Sequence, residues 1–178
     1  MKHIVLISIV LLSVNLWAQE KKLEENSKKD YSAHVLTIDS TIKSLYTVIS
    51  GEKGVERDWD LFKFLFHPGA KLIASGKNID GEVQVAYMSP DEYIKNSGKW
   101  MFENGFFENE IHRTVETFGT MSQVFSTYEA FNSEEDEKPL IRGINSFQLF
   151  NDGERWWIIN IFWAKETRKH KIPNKYKS

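Results

Sequence analysis

The chain has 178 residues, enough for one domain, and 24 of them are aromatic. It has 23 Lys and Arg against 25 Asp and Glu, and the formal net charge of −2 predicts no general attraction to nucleic acid. The absence of cysteine excludes disulfides, thiolate metal sites, iron–sulfur clusters and cysteine nucleophiles. The large apolar side chains predict a globular protein, because their burial offsets the loss of chain entropy.

The first 18 residues have the pattern of a secretory signal peptide. Lys2 and His3 form a short basic start, residues 4–14 are apolar, and Leu16-Trp17-Ala18 is similar to a cleavage site. The apolar run is too short for a membrane span, which needs about 20 residues. We therefore expect an exported protein, periplasmic or secreted, with no membrane span after signal cleavage. An uncleaved N-terminal anchor is the alternative.

Charged segments flank the predicted domain, which spans residues 34–165. Residues 19–33 are mostly charged and are predicted to be a flexible tether. Residues 166–178 form a predicted basic tail, in which Pro173 opposes a helix. This tail is either an arm for an anionic partner or a solvated end.

Three helices are predicted in the first half of the domain. The first has one apolar face, formed by Ile38, Ile42, Leu45 and Ile49. Asp58 is a candidate N-cap for the second helix, which is predicted to end at His67-Pro68. Residues 89–92 have the sequence Ser-Pro-Asp-Glu, which predicts a capping box for a third helix ending at Asn104-Gly105.

Short strands are predicted over residues 71–75 and 83–88. Four longer runs with strand composition follow the third helix, at residues 106–118, 120–131, 140–150 and 155–165. Asn151-Asp152-Gly153 is a strong hairpin signal. Because these strands follow one another without intervening helices, we predict an α+β fold in which three N-terminal helices pack in the concave face of a curved antiparallel sheet.

The order of these elements resembles the nuclear transport factor 2-like (SnoaL-like) superfamily. Residues 58–70 and 153–159 carry the resemblance, and residues 124–129 and 142–146 resemble an uncharacterised bacterial branch with exported members. The resemblance implies a cone-shaped, cystatin-like roll with a pocket between the helices and the sheet. It also implies a homodimer formed through the other face of the sheet.

Enzymes of this superfamily include ketosteroid isomerases, polyketide cyclases and dehydratases, which place a Tyr, an Asp and a His in the pocket. In the dehydratase-like pattern, an Asp follows a first-helix Tyr after about five residues. Here Tyr46 is followed by Ser50 and Gly51, so that carboxylate is absent. This departure leaves the enzymatic activity open.

Glu110 and His112 are the candidate catalytic residues. Because side chains alternate along a strand, we expect the two to share one face and to act as base and orienter in proton transfer. A surface position for His112 is the alternative. Arg142 is expected to pair with Glu110 or with a ligand carboxylate. Four apolar residues of the last strand are expected to share one face: Trp157, Ile159, Ile161 and Trp163.

The predicted ligand-binding residues combine aromatic and polar side chains: Trp59, Tyr87, Glu110, Tyr128, Arg142, Asn145 and Trp163. Such a set predicts a pocket for a small apolar or aromatic molecule. The sequence has no metal-binding or nucleotide-binding motif, so no metal or cofactor is predicted. Two alternatives stay open: an isomerase or dehydratase that uses a pocket carboxylate and a His, and a structural homodimeric interaction module.

Overall fold

The computed structural model describes residues 29–177, so the predicted signal peptide and most of the predicted tether lie outside the described residues. From Tyr31 onward the chain forms one compact unit. The described part of this unit contains three α-helices, six strands and two short 3-10 helices. Within residues 29–177, no helix has the length and apolar character needed to cross a membrane.

The helices are α1 (Ile38–Ile49), α2 (Trp59–Leu65) and α3 (Pro90–Asn104). Two predicted caps are confirmed. The Asp58 carboxylate accepts the backbone N–H of Leu61 at 3.0 Å, and Ser89 and Glu92 form the reciprocal capping box of α3. Helix α2 ends at Leu65, slightly before the predicted stop, because the chain enters a strand there.

The strands are β1 (Phe66–Lys77), β2 (Val83–Met88), β3 (Phe107–Phe118), β4 (Met121–Phe131), β5 (Ile141–Asn151) and β6 (Trp156–Lys165). The bounds of β2 to β6 agree with the predicted runs to within one residue. Strand β1 is longer than predicted, because it takes in His67 and Pro68 before a register shift ahead of Lys71.

The six strands form one curved sheet in the order β2-β1-β6-β5-β4-β3. Four of the five pairings are antiparallel, and β1 pairs with β6 in parallel. The parallel pairing joins strands that are distant in the chain, so the run of adjacent strands could not reveal it. The helices cover the concave face, called here the inner face, and the opposite face is the outer face. The core between them contains Ile42, Phe62, Leu65, Val124, Phe147 and Ile158.

A β-bulge in β3 reverses the expected alternation of side chains. Glu110 lies opposite Tyr128 and His112 lies opposite Thr127, so Ile111 is the additional residue. As a result Glu110 is on the inner face and His112 is on the outer face. The expectation that these two side chains share one face is therefore wrong.

A second bulge has the same effect in β6. Ile158 lies opposite Leu149 and Ile161 lies opposite Phe147, which leaves Ile159 as the additional residue. Ile158 and Ile161 consequently share the inner face. The predicted shared face of Trp157, Ile159, Ile161 and Trp163 is wrong for the first two of these residues.

The compact unit begins within the predicted tether. The Tyr31 hydroxyl donates a hydrogen bond to the Asp58 carboxylate at 2.9 Å, and its ring lies 5.6 Å from that of Phe64. The last residues of the predicted tether are therefore part of the folded unit.

Residues 166–177, called here the C-terminal strap, fold back over the outer face. Ile172 is buried, and the Thr127 hydroxyl donates a hydrogen bond to the Tyr176 carbonyl at 2.8 Å. The Tyr176 ring lies 4.9 Å from that of Phe125. The segment predicted as a free basic arm or a solvated end is thus packed against the sheet.

Candidate functional site

A cavity of about 210 Å³ lies between the helices and the inner face. Most of its lining is apolar, and five of the lining residues are aromatic: Phe62, Tyr93, Phe106, Tyr128 and Trp163. Lys165 also lines it and is solvent-exposed, so the cavity reaches the surface there. A cavity of about 150 Å³ can hold benzene, whereas drug-sized ligands need about 300 Å³ or more. This inner cavity therefore fits one ring with a small substituent.

Glu108 places a carboxyl group in the inner cavity. It lies opposite Ala130 in the sheet, and that register directs its side chain to the inner face. Asn145 Nδ2 donates a hydrogen bond to Glu108 Oε1 at 3.0 Å. Burial raises the pKa of Glu108 to about 7, and the hydrogen bond from Asn145 offsets only part of this rise. A carboxyl group with such a pKa exchanges its proton near neutral pH.

A chain of hydrogen bonds links Glu108 to an ion pair behind the cavity. Asn145 Nδ2 lies 3.1 Å from the Tyr46 hydroxyl, which lies 2.7 Å from Ser126 Oγ. Ser126 donates to Glu110, which also accepts from Arg113 Nε at 2.8 Å. We call this set of residues the polar chain.

The direction of each hydrogen bond in the polar chain follows from its two ends. The carboxylate of Glu110, paired with Arg113, accepts, so Ser126 donates to it. Ser126 then accepts from Tyr46, whose oxygen accepts from the Asn145 amide. The second N–H of that amide group is directed to Glu108 Oε1. Glu108 Oε2 has no hydrogen bond to any residue of 29–177.

Three tyrosine hydroxyls surround Glu108 and stay protonated. Burial raises the pKa of Tyr46, Tyr93 and Tyr128, and the proximity of Glu108 raises each further. These phenols therefore act as neutral hydrogen-bonding groups across the physiological pH range.

The structure brings three of the predicted ligand-binding residues together. Tyr128, Asn145 and Trp163 all line the inner cavity. Glu110 is on the same face, but it lies in a neighbouring groove beside α1, where Arg113 neutralises it. Its predicted role as a free base does not fit this ion pair.

Two predicted ligand-binding residues lie away from the inner cavity. Trp59 packs edge-on against Phe62 at 5.6 Å, at the start of α2. Tyr87 is 65% exposed on the edge strand β2. Both are placed correctly on their elements, but neither lines the cavity.

Arg142 and His112 are both on the outer face. Arg142 Nε lies 3.2 Å from the Glu129 carboxylate and 3.8 Å from that of Glu166, so the predicted pairing with Glu110 is wrong. His112 lies beneath the C-terminal strap, with its ring 6.4 Å from that of Tyr176. The predicted catalytic pair of Glu110 and His112 does not form.

Glu108 was not among the predicted site residues. Its position two residues before Glu110 was a usable signal, because simple alternation puts both on one face. No sequence feature indicated that the start of β3 lies deeper under the helices than the middle. Within residues 29–177, no group of three His, Asp or Glu side chains has the arrangement of a metal site.

The sequence matches no protein-family model, and the search of curated proteins finds no match. Solved structures are similar in fold. A protein of unknown function with a cystatin-like fold from Nostoc punctiforme is 10% identical, with a TM-score of 0.56 over 74% of this chain and 90% of its own. A nuclear transport factor 2-like protein of unknown function from Pseudomonas putida is 12% identical, with a TM-score of 0.56 over 79% and 94%.

This chain has the nuclear transport factor 2-like fold. The predicted fold class is confirmed, and the predicted resemblance is confirmed as a likeness of fold. A scytalone dehydratase candidate from Novosphingobium aromaticivorans has the same fold, at 14% identity and a TM-score of 0.55 over 73% of this chain and 82% of its own. At such identities the nuclear transport factor 2-like fold is shared, and activity is a separate question.

Proposed function

We propose that the chain binds a small, mostly apolar or aromatic molecule in the inner cavity. The observation that carries this proposal is a ring-sized, aromatic-lined cavity containing one carboxyl group, that of Glu108, whose Oε2 has no partner among the described residues. Ligand sites combine such an apolar lining with a few well-placed polar groups. The apolar walls would supply affinity, and Glu108 would select the orientation.

A cavity-filling substitution tests this proposal. Ala130 lines the cavity and is buried, so Ala130→Leu should occupy space that the ligand needs. The matched control is Ala164→Leu, the same change at an exposed position on β6. Ring-sized compounds are screened by ligand-observed NMR. Binding should be lost at least tenfold in Ala130→Leu and kept in Ala164→Leu, provided that thermal unfolding shows both variants folded. No hit for the natural chain, or equal binding by both variants, would contradict the proposal.

A second candidate function is proton transfer, as in an isomerase or dehydratase. The pKa of Glu108 near 7 favours it, because a general base works best when its pKa is close to the operating pH. In this candidate function Glu108 is the general base, in place of the predicted pair of Glu110 and His112. Glu108→Gln would then abolish turnover of a bound substrate but retain its binding, and unchanged turnover would remove this candidate.

We also propose that the chain is exported. The signal-peptide pattern supports export, and cleavage after Ala18 would be seen in the mass of the secreted chain.

We propose in addition that the chain forms a homodimer. Exposed apolar side chains on the outer face support it; they include Val85, Tyr87 and Phe162. Tyr87→Lys should convert a dimer to a monomer in light scattering. A monomeric natural chain would exclude both the dimer and the structural interaction module.

A further inference from the structure

Aromatic rings form two perpendicular walls of the inner cavity. The rings of Tyr93 and Trp163 have centroids 6.5 Å apart and an interplanar angle of 89°. Phe62 stacks on Tyr93 at 5.4 Å and supports that wall. The face of an aromatic ring attracts a cation, and this attraction grows when the cation is desolvated. A cavity with such walls suits an organic cation as well as a neutral ring.

The cavity carboxyl group lacks the counter-charge that comparable carboxylates have. Glu110 is paired with Arg113, and Glu129 and Glu166 share Arg142. Among residues 29–177, no Lys or Arg forms an ion pair with Glu108, and the one hydrogen-bond partner of its side chain there is the neutral amide of Asn145. An ionised carboxylate that is removed from water has a high free energy when no cation is nearby. A cationic ligand would therefore be stabilised by an ion pair with Glu108 that no residue of 29–177 forms.

We propose that the ligand of the inner cavity is a small organic ammonium compound, with its apolar body against Tyr93 and Trp163 and its charged nitrogen at Glu108. This inference rests on the proposed function and names its ligand class. An ammonium group would donate a hydrogen bond to Glu108 Oε2, the oxygen that the polar chain leaves unoccupied.

The groups that face Glu108 give this proposal a definite pH dependence. They are Tyr46 from α1, Tyr93 from α3, Tyr128 from β4, Asn145 from β5, Lys165 from β6 and Glu110 on its own strand. Glu108 also lines the neighbouring groove, whose other charged residues are Asp39, Lys43, Arg113 and Glu134; Arg113 is paired with Asp39, and Lys43 and Glu134 are exposed to solvent. The tyrosines are neutral, Glu110 is paired, and Lys165 is exposed to solvent at the mouth. Ionisation of Glu108 itself therefore controls the attraction for a cation.

Benzylamine and benzyl alcohol are suitable probes, because they have the same size and differ in charge. Binding is measured by isothermal titration calorimetry between pH 5.5 and 8. Only ionised Glu108 attracts the amine, so its affinity should rise about tenfold per pH unit up to about pH 7 and then level off. Benzyl alcohol should bind at least tenfold more weakly at pH 7.5. Equal affinities, or an amine affinity independent of pH, would overturn the proposal.

The variant Glu108→Gln keeps the shape and removes the charge. It should lower benzylamine affinity at least tenfold at pH 7.5 and abolish its pH dependence, while benzyl alcohol affinity changes less than threefold. The control is Glu116→Gln, the same change at an exposed position on β3, which should leave both affinities unchanged. If neither probe binds the natural chain, the proposed function fails. If the alcohol binds as well as the amine, only the cation inference fails.

Discussion

Glu108 and Glu110 are two residues apart on one face of β3, yet their surroundings are opposite in character. Glu110 accepts hydrogen bonds from Ser126 and twice from Arg113, which in turn contacts Asp39 on α1. Glu108 accepts one hydrogen bond and otherwise meets an aromatic cavity. Through Arg113, Glu110 links the sheet to α1. Glu108 has no such ion pair among residues 29–177. The position of Arg113 distinguishes the paired carboxylate from the one that has no ion pair among residues 29–177.

The largest expected effect comes from removing that arginine. Arg113→Met would leave Glu110 half-buried without a cation and should lower the free energy of unfolding by about 3 kcal/mol at pH 7. The measurement is urea unfolding. Arg168→Met, in the exposed part of the strap, is the control and should have little effect. If Arg113→Met and Arg168→Met lowered the free energy of unfolding by similar amounts, the ion pair of Glu110 would not be what distinguishes it from Glu108.

Glu108→Gln should raise the free energy of unfolding, whereas Arg113→Met lowers it. Because the pKa of Glu108 is raised in the folded chain, the native state keeps a proton that the unfolded chain releases, and stability falls as the pH rises from about 4.5 to about 7. The variant does not have this cost and should be about 3 kcal/mol more stable at pH 8. At pH 4, where the side chain is mostly protonated in both the folded and the unfolded chain, the difference should nearly vanish. A destabilised variant at pH 8 would mean that Glu108 has a partner.

Asn145→Ala sharpens the contrast by removing the one hydrogen bond that stabilises ionised Glu108. The pKa of Glu108 should rise from about 7 to about 8, because a hydrogen bond to a charged group contributes about 1.5 kcal/mol. NMR titration of the carboxyl carbon measures this change. Asn109→Ala, at an exposed position between the two carboxylates, should leave the titration as it was.

Tyr46→Phe interrupts the polar chain and should have the smallest effect. The hydroxyl group makes two buried hydrogen bonds, and its loss should lower the free energy of unfolding by about 1 kcal/mol. Asn145 still donates to Glu108 and Ser126 still donates to Glu110, so the hydrogen bonds of both carboxyl groups are unchanged. Thermal unfolding and the same NMR titration measure the two outcomes. A large fall in the pKa of Glu108 would show that the chain couples the two carboxylates.

The sequence was sufficient to predict the elements because their signals are local. The cap at Asp58, the capping box at Ser89 and the apolar face of α1 each depend on residues within one or two turns of helix. The hairpin at residues 151–153 depends on turn chemistry in the same way. Such features need no knowledge of the rest of the chain.

The site was harder to predict because single bulges decide which side chains meet. The bulge at Ile111 separates His112 from Glu110. The bulge at Ile159 changes which residues of β6 share the inner face. Tyr128 and Trp163 were predicted as pocket residues because aromatic side chains suit an apolar pocket lining, a reason that does not depend on the register. Glu108 was missed because its depth depends on helices packed from elsewhere. The strap was missed because one buried residue, Ile172, fixes an otherwise basic segment.

The most direct test of this account is the NMR titration of the Glu108 side-chain carboxyl carbon, with its signal assigned by its absence in Glu108→Gln. We expect a titration midpoint near pH 7, because the carboxyl group is buried without a cation. A midpoint below about pH 5, within the ordinary range for Glu, would show that the group is solvated or paired. That result would contradict the central claim that β3 holds an available acid in the cavity.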